Sequence, residues 1–294
     1  MAIDYKHYRL PWPTMIGGGI VTGFLSLGVH ILMLQGLGIP FPGRVGVPAW
    51  ASLLNVALAV AALMYLDALL REQTMLRLPW RRWLVLAALY ATLKEALRGN
   101  IMNAVVTTAW TFSAAQTISP VLYSLVLAGL VVLVGPRASK PALRLVAAAV
   151  IALVMSFAVK PTVGAMLSPL MSAIAHLDHA DVYPFPYGWH VMIWAYLTYA
   201  EPVIAAFVTA ALVWPQLRGR RGTIVKFTVM IAAIKGAILP TFLFSQFDKA
   251  GPAVGMLSES QFLFEALLLG LLAGATWTWV DRTKAISKPV TGPF

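Results

Sequence analysis

The chain has 294 residues, 60% hydrophobic and 11% charged, with a mean hydropathy of +0.79. Soluble domains carry roughly 25% charged residues, so a chain this poor in charge is excluded from the soluble globular class and must present apolar side chains to lipid. Its 22 Lys and Arg outnumber 11 Asp and Glu for a net charge of +11, and the absence of cysteine excludes disulfides, thiolate metal sites and cysteine nucleophiles.

A helix needs about 20 mostly apolar residues to cross roughly 30 Å of hydrocarbon. Eight stretches meet that requirement, at about 14–36, 49–70, 83–103, 118–136, 142–160, 191–214, 223–244 and 261–280. In lipid each segment must satisfy its own backbone N–H and C=O groups, so these stretches are expected to be helices. The expected fold class is an all-α polytopic membrane protein with eight transmembrane helices. The first stretch lacks a small-residue cleavage site and leads directly into the second, so it reads as a span and not as a removable signal.

The basic residues support this division. Sixteen of the 22 fall in five places: Lys6 and Arg9; Arg71, Arg77, Arg81 and Arg82; Arg137, Lys140 and Arg144; Arg218, Arg220, Arg221 and Lys226; and Arg282, Lys284 and Lys288. Every second loop is basic, and the alternate loops hold only Arg44 and Lys249. Cytoplasmic loops are enriched in Lys and Arg, so both termini are expected in the cytoplasm of a cell inner membrane. The positive charge is thus an orientation signal, with a weaker attraction to anionic headgroups. Lipid is the expected partner, other membrane subunits are a further one, and nucleic acid is not, because no soluble domain presents a basic run.

The two halves resemble each other. Pro40-Phe41-Pro42, followed by Val47, Trp50, Ala51 and Leu53, matches Pro184-Phe185-Pro186, followed by Val191, Trp194, Ala195 and Leu197, at an offset of 144. Ser113, Gln116, Leu127-Ala128-Gly129 and Arg137 match Ser258, Gln261, Leu272-Ala273-Gly274 and Arg282 at an offset of 145, and Lys94 and Ala96 match Lys235 and Ala237 at 141. Coincidence between Leu- and Ala-rich helices is the simpler explanation, and the rarer Pro-Phe-Pro and Trp-Ala-x-Leu matches weigh against it. The expected division is 1–137, a four-helix repeat with a short cytoplasmic N-terminus, and 138–294, a second repeat with an outer segment at 161–190. An even number of helices per repeat relates the halves by a pseudo-twofold axis along the membrane normal, an arrangement some transporters use with a site between the halves.

Ionisable groups at bilayer depth cost roughly 2.5–3.5 kcal/mol each on insertion scales and should face protein or water. Lys94, Glu95, Arg98, Lys160, Glu201, Lys235 and Glu265 lie within spans or at their outer edges, and Asp67 lies near a cytoplasmic end. Lys94 and Lys235 correspond through the repeat. Pro202, after Glu201, and Pro240, after Lys235, remove backbone donors and are expected to break or kink their helices. Lys94, Glu95, Arg98, Glu201 and Lys235 are therefore candidates for a substrate-binding centre for an anionic or amphipathic ligand. The bland reading is mutual ion pairing that holds helices together. Arg98 and Lys160 lie near outer span ends, where snorkelling to the interface is the simpler role, and Glu265 stands opposite Pro120 in the repeat and breaks its symmetry.

On the outer side, His176, His179, Asp181 and His190 cluster in sequence, and imidazole with carboxylate suits a transition metal. The spacing fits no specific metal motif, and a polar turn after an interfacial stretch at 162–175 explains it equally. His30 is the one histidine well inside a span, and paired haem ligation needs a second. Trp12, Trp50, Trp80, Trp83, Trp189, Trp194 and Trp214 fall near span ends and read as an aromatic belt.

Three functional readings result. The leading one is a multi-pass inner-membrane protein, transporter-like, with a polar intramembrane site between two helical halves. The second is an integral, non-catalytic subunit of a larger membrane complex. The third is an outer-side metal-binding membrane protein or enzyme, and an outer transition metal is the one cofactor the residues raise. No P-loop, dinucleotide fingerprint or nucleophile elbow appears, so the balance leans away from an enzyme.

Overall fold

A computed structural model describes residues 11–106, 109–138, 140–179, 183, 185–217 and 222–286, with the side chains of 282–286 outside that description. The helices run in chain order: α1 (Trp12–Ile31), prolonged by a π turn (Leu32–Gly36); α2 (Ala49–Arg71); α3 (Pro79–Leu93); α4 (Ala96–Val106); and α5 (Trp110–Val134). Next, α6 (Pro141–Val154) passes through a π turn (Met155–Val159) into α7 (Lys160–Ala173). The last five are α8 (Trp189–Thr198), α9 (Ala200–Leu217), α10 (Thr223–Lys235), α11 (Ile238–Phe242) and α12 (Pro252–Ile286). Among the described residues there is no strand, only an isolated bridge between Arg44 and Asp248.

Six helical runs are long and apolar enough to cross a membrane: Trp12–Gly36, Ala49–Arg71, Trp110–Val134, Pro141–Ala173, Trp189–Leu217 and Pro252–Asp281. The predicted spans 83–103 and 223–244 differ from these because each is split. α3 ends at Lys94, whose ψ is 4°, and the chain turns through Glu95 at φ +59° before α4 begins. α10 ends the same way, through Gly236 at φ +69°. There the Gly236 N–H bonds Ala233 O and the Ala237 N–H bonds Ala232 O, the paired bonds of a glycine-terminated helix. The two lysines before these turns are 141 positions apart.

Two boundaries also move. α5 begins at Trp110 and carries Pro120 inside it, where Ser124 Oγ bonds the Pro120 carbonyl at 2.6 Å. The stretch 162–175 is not a separate surface segment but continues the helix predicted over 142–160, since α6 and α7 form one run and α7 packs on α5. Pro161 falls just after the π turn, whose widened geometry accommodates a residue without an N–H.

Helix neighbours come in corresponding pairs. α5 packs on α3, as α12 packs on α10; α4 lies on α5, as α11 lies on α12; α2 meets α10, as α9 meets α3. α1 packs on α12, α9 and α8, while α6 packs on α2 and α7 on α5. Gly129 on α5 faces α3, and Gly274 on α12 faces α10, each at ordinary contact distance. A Cβ at Gly129 would lie 3.5 Å from Trp83 Nε1, and one at Gly274 would lie 3.4 Å from Ile224 Cγ2.

The ends of the helices are tied in two layers. At one end the Gly43 N–H bonds Asp248 Oδ2 at 2.7 Å, the Val45 N–H bonds Phe247 O at 2.8 Å, and the Lys249 N–H bonds Gly43 O at 3.0 Å. At the other, Asp67 is fully buried and accepts from Arg71 Nε at 2.8 Å and from buried Arg82 Nε at 2.5 Å. Arg82 also bonds the carbonyls of Leu76 and Arg77, so one guanidinium fastens α2 to α3 and the turn between them. Trp12, Trp50, Trp80 and Trp189 are exposed, as a belt requires, but Trp214 is 3% exposed and packs edge-on against Phe227. It faces α10, a direction that its nearness to a span end did not reveal.

Asp67→Ala leaves the Arg82 guanidinium buried without its carboxylate. Breaking a buried pair from one side is expected to destabilise by about 3–5 kcal/mol, which thermal unfolding of the detergent-solubilised chain will measure as a clear fall in midpoint.

Candidate functional site

The ends of α3 and α10 meet, and each helix end reaches into the break of the other. Lys94 Nζ donates to the carbonyl of Lys235 at 2.8 Å, an acceptor that the end of α10 leaves free. Lys235 Nζ pairs with Glu95, the residue of the α3 break, and lies 3.4 Å from Glu265 Oε1 on α12. Glu95 is also bonded by Arg98, one turn into α4. The first amides of α4 are capped from elsewhere: Glu201 accepts from the Leu97 N–H at 3.2 Å and from the Arg98 N–H at 2.6 Å. A carboxylate at a helix N-terminus satisfies orphan donors and complements the helix dipole.

Glu201 reaches α4 because the chain breaks between α8 and α9 at Tyr199, three residues ahead of Pro202. Pro202 sits in the first turn of α9, where its missing N–H leaves no helical acceptor unpaired. Tyr199 is completely buried, with the Arg98 guanidinium 5.2 Å and Lys235 Nζ 6.0 Å from its ring centre, so its face shares in holding both cations. Glu265, 3% exposed, lies 3.7 Å from His30 Nδ1 on α1. Arg98 and Lys235, with the carboxylates Glu95 and Glu265 that pair with them, are thereby gathered beside one tyrosine.

Most of these groups line a cavity of about 680 Å³. Its polar lining is formed by Lys94, Glu95, Arg98, Lys235, Glu265, His30 and Asn55. Its apolar lining includes Phe41, Met102, Val106, Pro240, Phe244 and Phe262. Arg44 and Glu259 also line it and are paired, with Arg44 Nη2 2.7 Å from Glu259 Oε2. Asn55 Oδ1, His30 Nδ1, Arg98 Nε and the Tyr199 hydroxyl are buried without a hydrogen-bond partner among the described residues. Buried polar atoms are ordinarily bonded, so those that face the cavity are available to whatever enters it.

All five residues singled out for an intramembrane centre come together. Lys94, Glu95, Arg98 and Lys235 line the cavity, and Glu201 stands behind them as the cap of α4. Arg98 does not snorkel to the interface: Glu95 and Tyr199 hold it inside. Lys160, at the start of α7, is exposed. The outer histidines are not gathered. His176 and His179 are exposed, Asp181 lies outside the described residues, and the His190 ring packs against Tyr183 at 4.3 Å. Among the described residues no three His, Asp or Glu side chains stand close enough to hold a metal ion. Asn55, His30, Glu265 and Tyr199 are the site residues that sequence reasoning left unassigned. An amide in mid-span and a histidine and carboxylate at bilayer depth were the readable signals. Comparison with known proteins returns no match: no family model matches the chain, nor does any curated protein or solved structure.

At Gly236 a side chain would face both strain and crowding. A Cβ would stand 3.2 Å from Asn55 Nδ2 and 3.3 Å from Lys94 Nζ, at φ +69°. Gly236→Ala is therefore expected to lower stability by about 1–2 kcal/mol from the left-handed conformation alone, readable as a reduced thermal midpoint in detergent.

Proposed function

We propose that the chain is a transporter-like inner-membrane protein, with eight membrane segments and both termini in the cytoplasm, that binds an anionic or amphipathic ligand between two related four-helix halves. Two of the eight segments are the split pairs α3–α4 and α10–α11. What carries this reading is the reciprocal contact of the two breaks, Lys94 on the Lys235 carbonyl and Lys235 on Glu95, at the wall of a cavity. Discontinuous helices that present freed backbone groups and charges to a midplane cavity are a recurrent way of building a membrane transport site.

The corresponding helix pairs support a pseudo-twofold relation along the normal, with the axis between α3 and α10. The breaks fall at positions related by the same offset as Lys94 and Lys235, and Gly129 and Gly274 make equivalent approaches. Phe41, Arg44 and Phe244 bring the loops poor in basic residues into the cavity lining, so in this orientation the cavity belongs to the outer half of the membrane.

Reconstituted in liposomes, the protein is expected to give saturable flux of a member of a mixed panel of small organic anions. Lys94→Ala, Glu201→Ala and Lys235→Ala, each checked for helical content, are expected to lower it at least tenfold. Flux that survives all three substitutions removes this site from the mechanism. Absence of flux together with co-purification of other membrane chains at fixed stoichiometry favours the subunit reading instead.

Orientation has its own test, since the chain has no cysteine. In intact cells a membrane-impermeant maleimide is expected to label Lys249→Cys and to leave Arg77→Cys unlabelled until lysis. The reverse pattern inverts the topology.

A further inference from the structure

We infer that the ligand of this cavity is an organic monoanion with an aromatic or alicyclic body, its acid group seated on the Lys94 ammonium. The inference rests on the reading of the cavity as a ligand site and adds the class of molecule it takes. The first argument is charge. Four cations, Arg44, Lys94, Arg98 and Lys235, line the cavity. Three carboxylates, Glu95, Glu259 and Glu265, face them. Arg44 is matched by Glu259, Arg98 by Glu95, and Lys235 by Glu95 and Glu265. Among the described residues Lys94 has no carboxylate within ion-pair distance, and its one hydrogen bond goes to a backbone carbonyl. An ammonium carries three donors, so two remain for a ligand, and Lys94 is exposed at the cavity that it lines.

One negative charge supplies the counter-ion that Lys94 lacks, whereas a dianion brings a second charge to a wall whose other cations are already paired, a neutral molecule leaves the ammonium unmatched and a cation adds to it. The second argument is shape. Phe41, Phe244 and Phe262 also line the cavity, and the Phe41 and Phe262 rings stand 6.4 Å apart. These rings offer apolar surface to a body of the same kind. A cavity of about 680 Å³ lies within the roughly 300–1,000 Å³ of ordinary small-molecule sites, and so admits a molecule larger than an inorganic ion.

The test is thermal unfolding of the full chain in nanodiscs against benzoate, cyclohexanecarboxylate, acetate, terephthalate, inorganic phosphate, benzyl alcohol and benzylamine at constant ionic strength. Benzoate and cyclohexanecarboxylate are expected to raise the midpoint saturably, and acetate at least tenfold more weakly. Lys94→Gln is expected to weaken benzoate at least tenfold and Lys94→Arg to retain it within a few fold. Should Lys94→Gln not fold, Phe262→Ala tests the apolar wall, with benzoate weakened and acetate unchanged. Tighter binding of terephthalate or phosphate through Lys94 overturns the monoanion class while leaving a ligand site in place. An equal response to benzyl alcohol, or benzoate binding indifferent to Lys94→Gln, overturns the seating of the acid. If no member of the panel binds, the inference falls, and the flux assay on a wider panel decides separately whether the cavity transports.

Discussion

The Lys235–Glu95 pair is the contact from which the centre of the molecule follows. A lysine buried between helices needs a carboxylate, and the nearest one from the other half becomes available only where α3 stops and the chain turns through Glu95. The turn in turn exposes backbone groups that need partners. Glu201 bonds the first amides of α4, and Lys94 bonds the last carbonyl of α10. Charge and interrupted backbone, each unfavourable alone in hydrocarbon, thus satisfy one another.

That dependence explains what the sequence revealed and what it concealed. The apolar runs and the charged residues among them were legible because a missing or stranded charge stands out in a chain this hydrophobic. The break at Gly236 follows a recognisable pattern, a glycine after an apolar helical run. The break at Glu95 does not: glutamate has no preference for a left-handed backbone, and only the partners it meets from α4 and α10 hold it there. Pro202 announced an irregularity near Glu201, yet the chain bends at Tyr199, whose burial under two cations is a tertiary fact. The outer histidines His176, His179 and His190 are not grouped among the described residues, and Asp181 lies outside them.

His30 and Glu265 mark a further limit of reading residues singly. Each lacked a partner on its own helix, and each finds one on the other's, because α1 lies against α12. Assigning them required the pairing of the helices nearest the two ends of the chain, information that no local pattern carries. Asn55 is a milder case, an amide on α2 whose neighbours Lys94 and Gly236 come from two other helices.

The contacts of α1 also bear on the order of assembly. α1 packs on α12, α9 and α8, whereas α6 and α7 dock on elements that precede them. Synthesis runs from the N-terminus, so α6 and α7 meet helices already made, while the groove between α1 and α12 closes only once α12 has emerged.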